Sequence, residues 1–133
     1  MNNFIKDLSD FLFDFADYLE GNKFISPINI KQISIDYSSN NKKGDLATNF
    51  YLIVKRKIIN ENFNIEKELN DRIKSIGFID HFVVSKNGFI NFFLKDEFVL
   101  RSLNEIYSKN FLNYINYGAD KKINVEFVSA NPT

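Results

Sequence analysis

Apolar residues recur at Phe4, Leu8, Phe11, Leu12, Phe15 and Leu19, while Asp7, Asp10, Asp14 and Asp17 mark out another side of the same stretch. Spacings of three and four residues place the first set on one face of a helix, so the pattern predicts an amphipathic helix ending near Gly21. Its acidic stripe reads as a solvated face that repels phosphates. Beyond Pro27, the run Ile33-Ser-Ile-Asp-Tyr37 alternates apolar and polar residues and predicts a strand. A polar loop over residues 38–43 leads to Gly44-Asp45. Asp45 is placed to cap a second helix that buries Leu46, Ala47, Phe50, Ile53 and Val54, with Lys55, Arg56 and Lys57 complementing the dipole of its last turn. A third helix is expected from about Asn62, packing through Ile65, Leu69, Ile73 and Ile76.

The segment Ile79 to Lys86 reads as a strand, and Asn87-Gly88 matches a two-residue hairpin turn in which both central residues take positive φ. The returning strand, Phe89 to Leu94, places Ile90, Phe92 and Leu94 on one face and Phe89, Asn91 and Phe93 on the other. Asp96 is placed to cap a fourth helix running to about Phe111 through Phe98, Val99, Leu103, Ile106 and Tyr107. Last comes Ile123 to Val128, a nearly continuous apolar run suited to a buried parallel strand. Such a strand needs neighbours, and only five residues follow it, which suggests a piece of a longer polypeptide. The predicted class is α+β: a small antiparallel sheet packed against amphipathic helices.

Composition narrows the function classes. With 133 residues, 44% of them hydrophobic and fifteen of them Phe, the chain can bury one core but not two. It has no Cys, which excludes disulfides, thiolate metal sites and a Cys nucleophile and fits a reducing, cytoplasmic compartment. No uncharged apolar stretch is long enough to span a bilayer, and the N-terminal residues do not read as a secretory signal. Seventeen basic and seventeen acidic residues cancel, with a pI near 6.6. A general nucleic-acid binder carries a basic excess, so any RNA contact here has to be local.

Four segments carry a family resemblance: Gly44-Asp-Leu-Ala-Thr-Asn49, Gly88-Phe-Ile-Asn-Phe-Phe93, Tyr117-Gly118 and Val125-Glu-Phe-Val-Ser-Ala-Asn-Pro-Thr133. In this order they resemble arginyl-tRNA synthetases, in which the last run leads into a Gly-Pro-Leu-His-Ile-Gly-His signature. The resemblance implies that residues 1–120 form the N-terminal domain that contacts the D-loop of arginine tRNA. Residues 121–133 would then begin the Rossmann-type catalytic domain. It further implies that residues matching Phe89 and Asn91 touch a base, and that Glu126, Ser129 and Asn131 hold arginine in the full-length enzyme. That enzyme activates arginine with ATP and Mg and transfers it to its tRNA. The nucleotide-gripping motifs lie beyond Thr133, so these residues alone are expected to catalyse nothing and to bind neither cofactor nor metal. The expected partners are arginine tRNA and the rest of the synthetase chain, with the domain a monomer. A free-standing module of the same fold, binding RNA or a protein in trans, is the rival reading.

The candidate ligands also have a plainer account. An amide like that of Asn91 donates and accepts at once on a base edge, and an aromatic like Phe89 offers a stacking surface. On pattern alone, Phe89 and Phe93 beneath a helix, with Asn91 bonded to backbone, is the simpler arrangement. The resemblance favours Phe89 and Asn91 as ligands and leaves Phe93 in the core. Lys42 and Lys43 are candidate phosphate contacts, against the plainer account of an ordinary solvated loop, as Lys55 to Lys57 would be an ordinary helix terminus. Asn49 is expected to tie its helix to a neighbouring loop. His81, the only His, has no companion ligands or base partner in the sequence and reads as a surface residue.

Overall fold

The computed structural model describes residues 3–108 and Lys122. Helix α1, Phe4–Gly21, forms as its spacing predicts, with Asn3 capping it by accepting from the Lys6 N–H at 3.2 Å. It buries Leu8, Leu12, Phe15, Ala16 and Leu19 and leaves all four of its aspartates exposed. Each large side chain taken out of water in this way contributes about 1.5–3 kcal/mol before the cost of ordering the chain. Helix α3, Ile65–Ile73, buries Ile65, Leu69 and Ile73 and starts behind Asn64, whose side chain accepts from the Lys67 N–H at 3.0 Å. The Arg72 guanidinium of α3 lies 3.6 Å from the centre of the Tyr18 ring, joining α3 to α1.

Four strands make one antiparallel sheet in the order β1-β2-β4-β3, with β1 at Ile35–Tyr37, β2 at Leu46–Thr48, β3 at Ile79–Val84 and β4 at Ile90–Leu94. Leu46 and Thr48 of β2 and Ile90 and Phe92 of β4 point inward and are buried. They meet the apolar faces of α1, α3 and the short helix α2, Phe50–Lys55, in one continuous core. The rings of Phe15 and Phe50 stack there at 5.6 Å.

Two local expectations give way. Residues 45–49 are not the start of a helix; Leu46 to Thr48 is a strand and α2 begins only at Phe50. Leu and Ala favour helix locally, but this segment fills the middle of the sheet, hydrogen-bonded to β1 on one side and β4 on the other, and that pairing overrides propensity. Asp45 accordingly caps no helix; its carboxylate accepts from the Leu94 N–H at 2.8 Å while its own N–H donates to the Phe92 carbonyl at 2.8 Å. The hairpin between β3 and β4 also differs. Gly88 donates to the Ser85 carbonyl at 2.9 Å and alone among the turn residues has positive φ, at 83°. Lys86, Asn87 and Gly88 thus form a three-residue loop, a turn followed by one left-handed residue, rather than Asn87-Gly88 forming a two-residue one.

Helix α4 spans Asp96–Tyr107 with Lys95, not Asp96, at the cap position. The expected end near Phe111, the Tyr117-Gly118 pair and the strand Ile123 to Val128 lie outside the described residues. No helix among the described residues is long and apolar enough to cross a membrane.

Candidate nucleic-acid interface

Strand β4 is two-faced. Its period of two sends Ile90 and Phe92 into the core and turns Asn91 and Phe93 outward, where they form part of the wall of an open concavity of about 1030 Å³ on the outer face of the sheet. The floor row runs Ala47, Asn91 and Val83 across β2, β4 and β3. On one side stands the loop after β1, closed by the Ser38 N–H donating to the Asp45 carbonyl at 2.9 Å. This loop turns on Asn40, whose side chain accepts from the Lys42 N–H at 3.0 Å, so that Lys42 and Lys43 are exposed at the rim. Across the concavity the hairpin contributes Phe89, partly buried, and Lys86, exposed.

Phe89, Asn91, Lys42 and Lys43, singled out in the sequence from separate segments, therefore line a single concavity. Its described lining carries three lysines and no carboxylate. By register Asp36 lies opposite Ala47 at the β1 edge, and the Asp45 carboxylate beside β4 is engaged by the Leu94 N–H. On a chain of zero net charge this is a local basic field, screened beyond about 10 Å at 0.1 M salt. The acidic stripe of α1 takes no part in the lining. Neither do Lys55, Arg56 and Lys57; the Lys55 ammonium sits 5.6 Å from the Tyr51 ring centre.

Phe93 is not a core residue. Strand geometry sets it opposite in sense to buried Phe92, and its ring stacks on His81 across the β3–β4 pair at 4.3 Å with the planes 9° apart. His81 is exposed, as its isolation in the sequence suggested, and its Nδ1 lies 2.6 Å from the Asp80 carboxylate. Among the described residues, no group of three or more His, Cys, Asp or Glu side chains is placed to hold a metal ion.

The run Gly44 to Asn49 holds this surface in place. Gly44 has φ 131°, and a Cβ there would lie 3.0 Å from the Asn91 Cβ and 3.2 Å from the Phe92 carbonyl. Only glycine lets the chain pass so close to the base of Asn91. Asp45 then fastens β2 to β4 through Leu94. Ala47 keeps the floor low beside Asn91, and the buried Thr48 hydroxyl accepts from the Phe50 N–H at 3.2 Å. Asn49 ties α2 to the segment before β1, as expected, accepting from the Ser34 N–H at 2.9 Å and donating to the Gln32 carbonyl at 2.8 Å.

Sequence reasoning missed Tyr37, Val83 and Lys86 in the lining. Lys86 was within reach, since it lies beside the hairpin turn three residues before Phe89. Tyr37 was not, because nothing in the sequence says that β1 borders β2 on the same sheet as β4. Glu126, Ser129 and Asn131 lie outside the described residues.

A family model described as the arginyl tRNA synthetase N terminal domain matches residues 4–94, a range that contains every lining residue of the concavity. An arginine–tRNA ligase from Ehrlichia ruminantium (strain Gardel) is 37% identical over 107 residues, covering 78% of this chain and 18% of its own length. The arginine–tRNA ligase of Caldanaerobacter subterraneus subsp. tengcongensis is 36% identical over 107 residues, with 78% and 19% covered. That of Leptospira biflexa serovar Patoc is 30% identical over 118 residues, with 89% and 20% covered. The chain thus spans about a fifth of the length of these relatives.

Proposed function

The chain belongs to the arginyl tRNA synthetase N-terminal domain family, and on that premise we propose that it is the tRNA-contacting domain of an arginine–tRNA ligase, engaging the D-loop of arginine tRNA with the outer face of its sheet. The observation that carries this reading is the meeting of Phe89, Asn91, Lys42 and Lys43 around one concavity without a lining carboxylate. Each contributes by its own chemistry. The Asn91 amide donates and accepts on the edge of an unpaired base, Phe89 offers its ring for stacking, and the two lysines neutralise phosphates alongside. Residues 1–120 form this domain. Residues 121–133 begin the catalytic domain, with Glu126, Ser129 and Asn131 holding arginine in the complete ligase. Activation with ATP and Mg, and transfer to the tRNA, belong to that larger assembly in the cytoplasm.

The test is titration of the 133-residue protein with an arginine tRNA transcript at one low salt concentration. Asn91→Ala weakens binding by about 1–3 kcal/mol and leaves the thermal melt in place. A transcript with the contacted D-loop base removed loses a similar amount, and the two losses do not add. Affinity unchanged by Asn91→Ala removes base reading from this site.

A further inference from the structure

We infer that the apolar face of α4 is a docking surface for the catalytic body of the same ligase, held against it by the polypeptide that joins them. This inference rests on the reading of the chain as one domain of an arginine–tRNA ligase. The spacing of Phe98, Val99, Leu103, Ile106 and Tyr107 predicts a helix packed on its own domain, yet only Phe98 of these is covered there. Its ring lies 5.3 Å from the rings of both Phe4 and Phe78, and Ser102, one turn on, is the other residue of α4 that is not exposed. On a different side, spacings of three and four residues join Leu100, Leu103 and Tyr107 into a stripe flanked by Val99 and Ile106, all exposed, Leu100 by 61% and Tyr107 by 84%. Five of the nine large hydrophobic residues exposed among the described ones stand on this one helix. Scattered singly they would need no explanation; gathered in a stripe they mark an interaction surface.

Size and tethering identify the occupant. A helix of 12 residues is about 18 Å long, so its stripe offers a few hundred Å² at most, short of the roughly 800 Å² per partner of a stable association between free molecules. A body joined to the helix through the chain docks without the full entropy cost of bringing two molecules together, and a small stripe then suffices. The ligase relatives have such a body, since this chain spans about a fifth of their length, and a match covering 89% of this chain necessarily runs through α4. The family model ends at Leu94, which sets α4 between the matched module and the residues proposed to begin the catalytic domain. Glu97, Arg101 and Glu105 repeat every four residues on another side of the helix and stay in water when the stripe is covered, with Asp96 at the end of the stripe. The attachment to the recognition strand is short. Only Lys95 separates β4 from α4, and its N–H donates to the Phe78 carbonyl at 2.9 Å, so docking α4 also orients Asn91 relative to the body.

The chain has no cysteine, so Leu103→Cys places one thiol on the stripe and Glu105→Cys one thiol off it. Each is labelled with a water-soluble thiol reagent in the 133-residue protein and in the complete ligase, and the modified peptide is quantified by mass. Leu103→Cys is expected to react at least about tenfold more slowly in the ligase, while Glu105→Cys stays within about threefold between the two. Adding Leu100→Asp, which puts a charge on the stripe, returns the Leu103→Cys rate in the ligase to that of the 133-residue protein, and the 133-residue Leu100→Asp protein keeps the parental melt. Equal Leu103→Cys rates in the two proteins overturn the docking. Slow labelling already in the 133-residue protein overturns it as well, assigning the face to a second copy if dilution speeds the reaction and to residues 109–133 if it does not. The tRNA titration of Asn91→Ala is read separately. Its loss of affinity with Leu103→Cys unprotected leaves RNA binding without the docking, and the opposite pair of results leaves the docking without RNA binding.

Discussion

The two faces of β4 are built from neighbouring residues and obey opposite rules. Ile90 and Phe92 are fully buried among α1, α2 and α3, where any change of volume is felt throughout the core. Asn91 and Phe93, one residue along, face a concavity where packing is loose, an amide stands beside aromatics, and cations gather at the rim. Along five residues of chain, stability and the proposed recognition are therefore separable by parity alone. The difference teaches which substitutions report on folding and which on binding. The segment Gly44 to Asn49 serves both faces, with Leu46 and Thr48 buried and Ala47 in the lining, while Gly44 and Asp45 hold it against β4.

Three changes press on that separation. Phe92→Ala is expected to have the largest effect, a loss of about 3–5 kcal/mol from the emptied core, seen as a fall in melting midpoint of roughly 10–25 °C. A melt matching the parent would mean that the faces are assigned the wrong way round. Gly44→Ala comes next, because its new Cβ must displace Asn91 or the Phe92 carbonyl while φ stays in the left-handed region, at a cost of about 1–3 kcal/mol. It should lower both the melt and tRNA affinity, unlike Asn91→Ala, which lowers only affinity. Loss of one property without the other would separate Gly44 from the role of spacer. The smallest expected effect is that of Asp36→Asn. Removing the acidic group at the β1 edge should tighten tRNA binding about two- to fourfold at low salt, with no effect on the melt, and the gain should vanish as salt rises. A weakened complex would place Asp36 among the contacts instead.

The sequence alone determined the elements whose burial repeats with a local period. It identified α1, α3 and the alternation of β4, because a side chain's face follows from its number once helix or strand is chosen. It also singled out Asn91 and Phe89, through the family resemblance, and Lys42 and Lys43 as candidates, though not that they line one concavity. Tertiary structure alone decided that residues 46–48 are a strand rather than a helix, that Phe93 lies outside the core against His81, and that Lys42 and Lys43 share one concavity with Lys86. Those outcomes depend on which strand lies beside which. Lateral pairing joins residues far apart in the chain, such as Asp45 and Leu94, and leaves no period in the sequence from which it can be read.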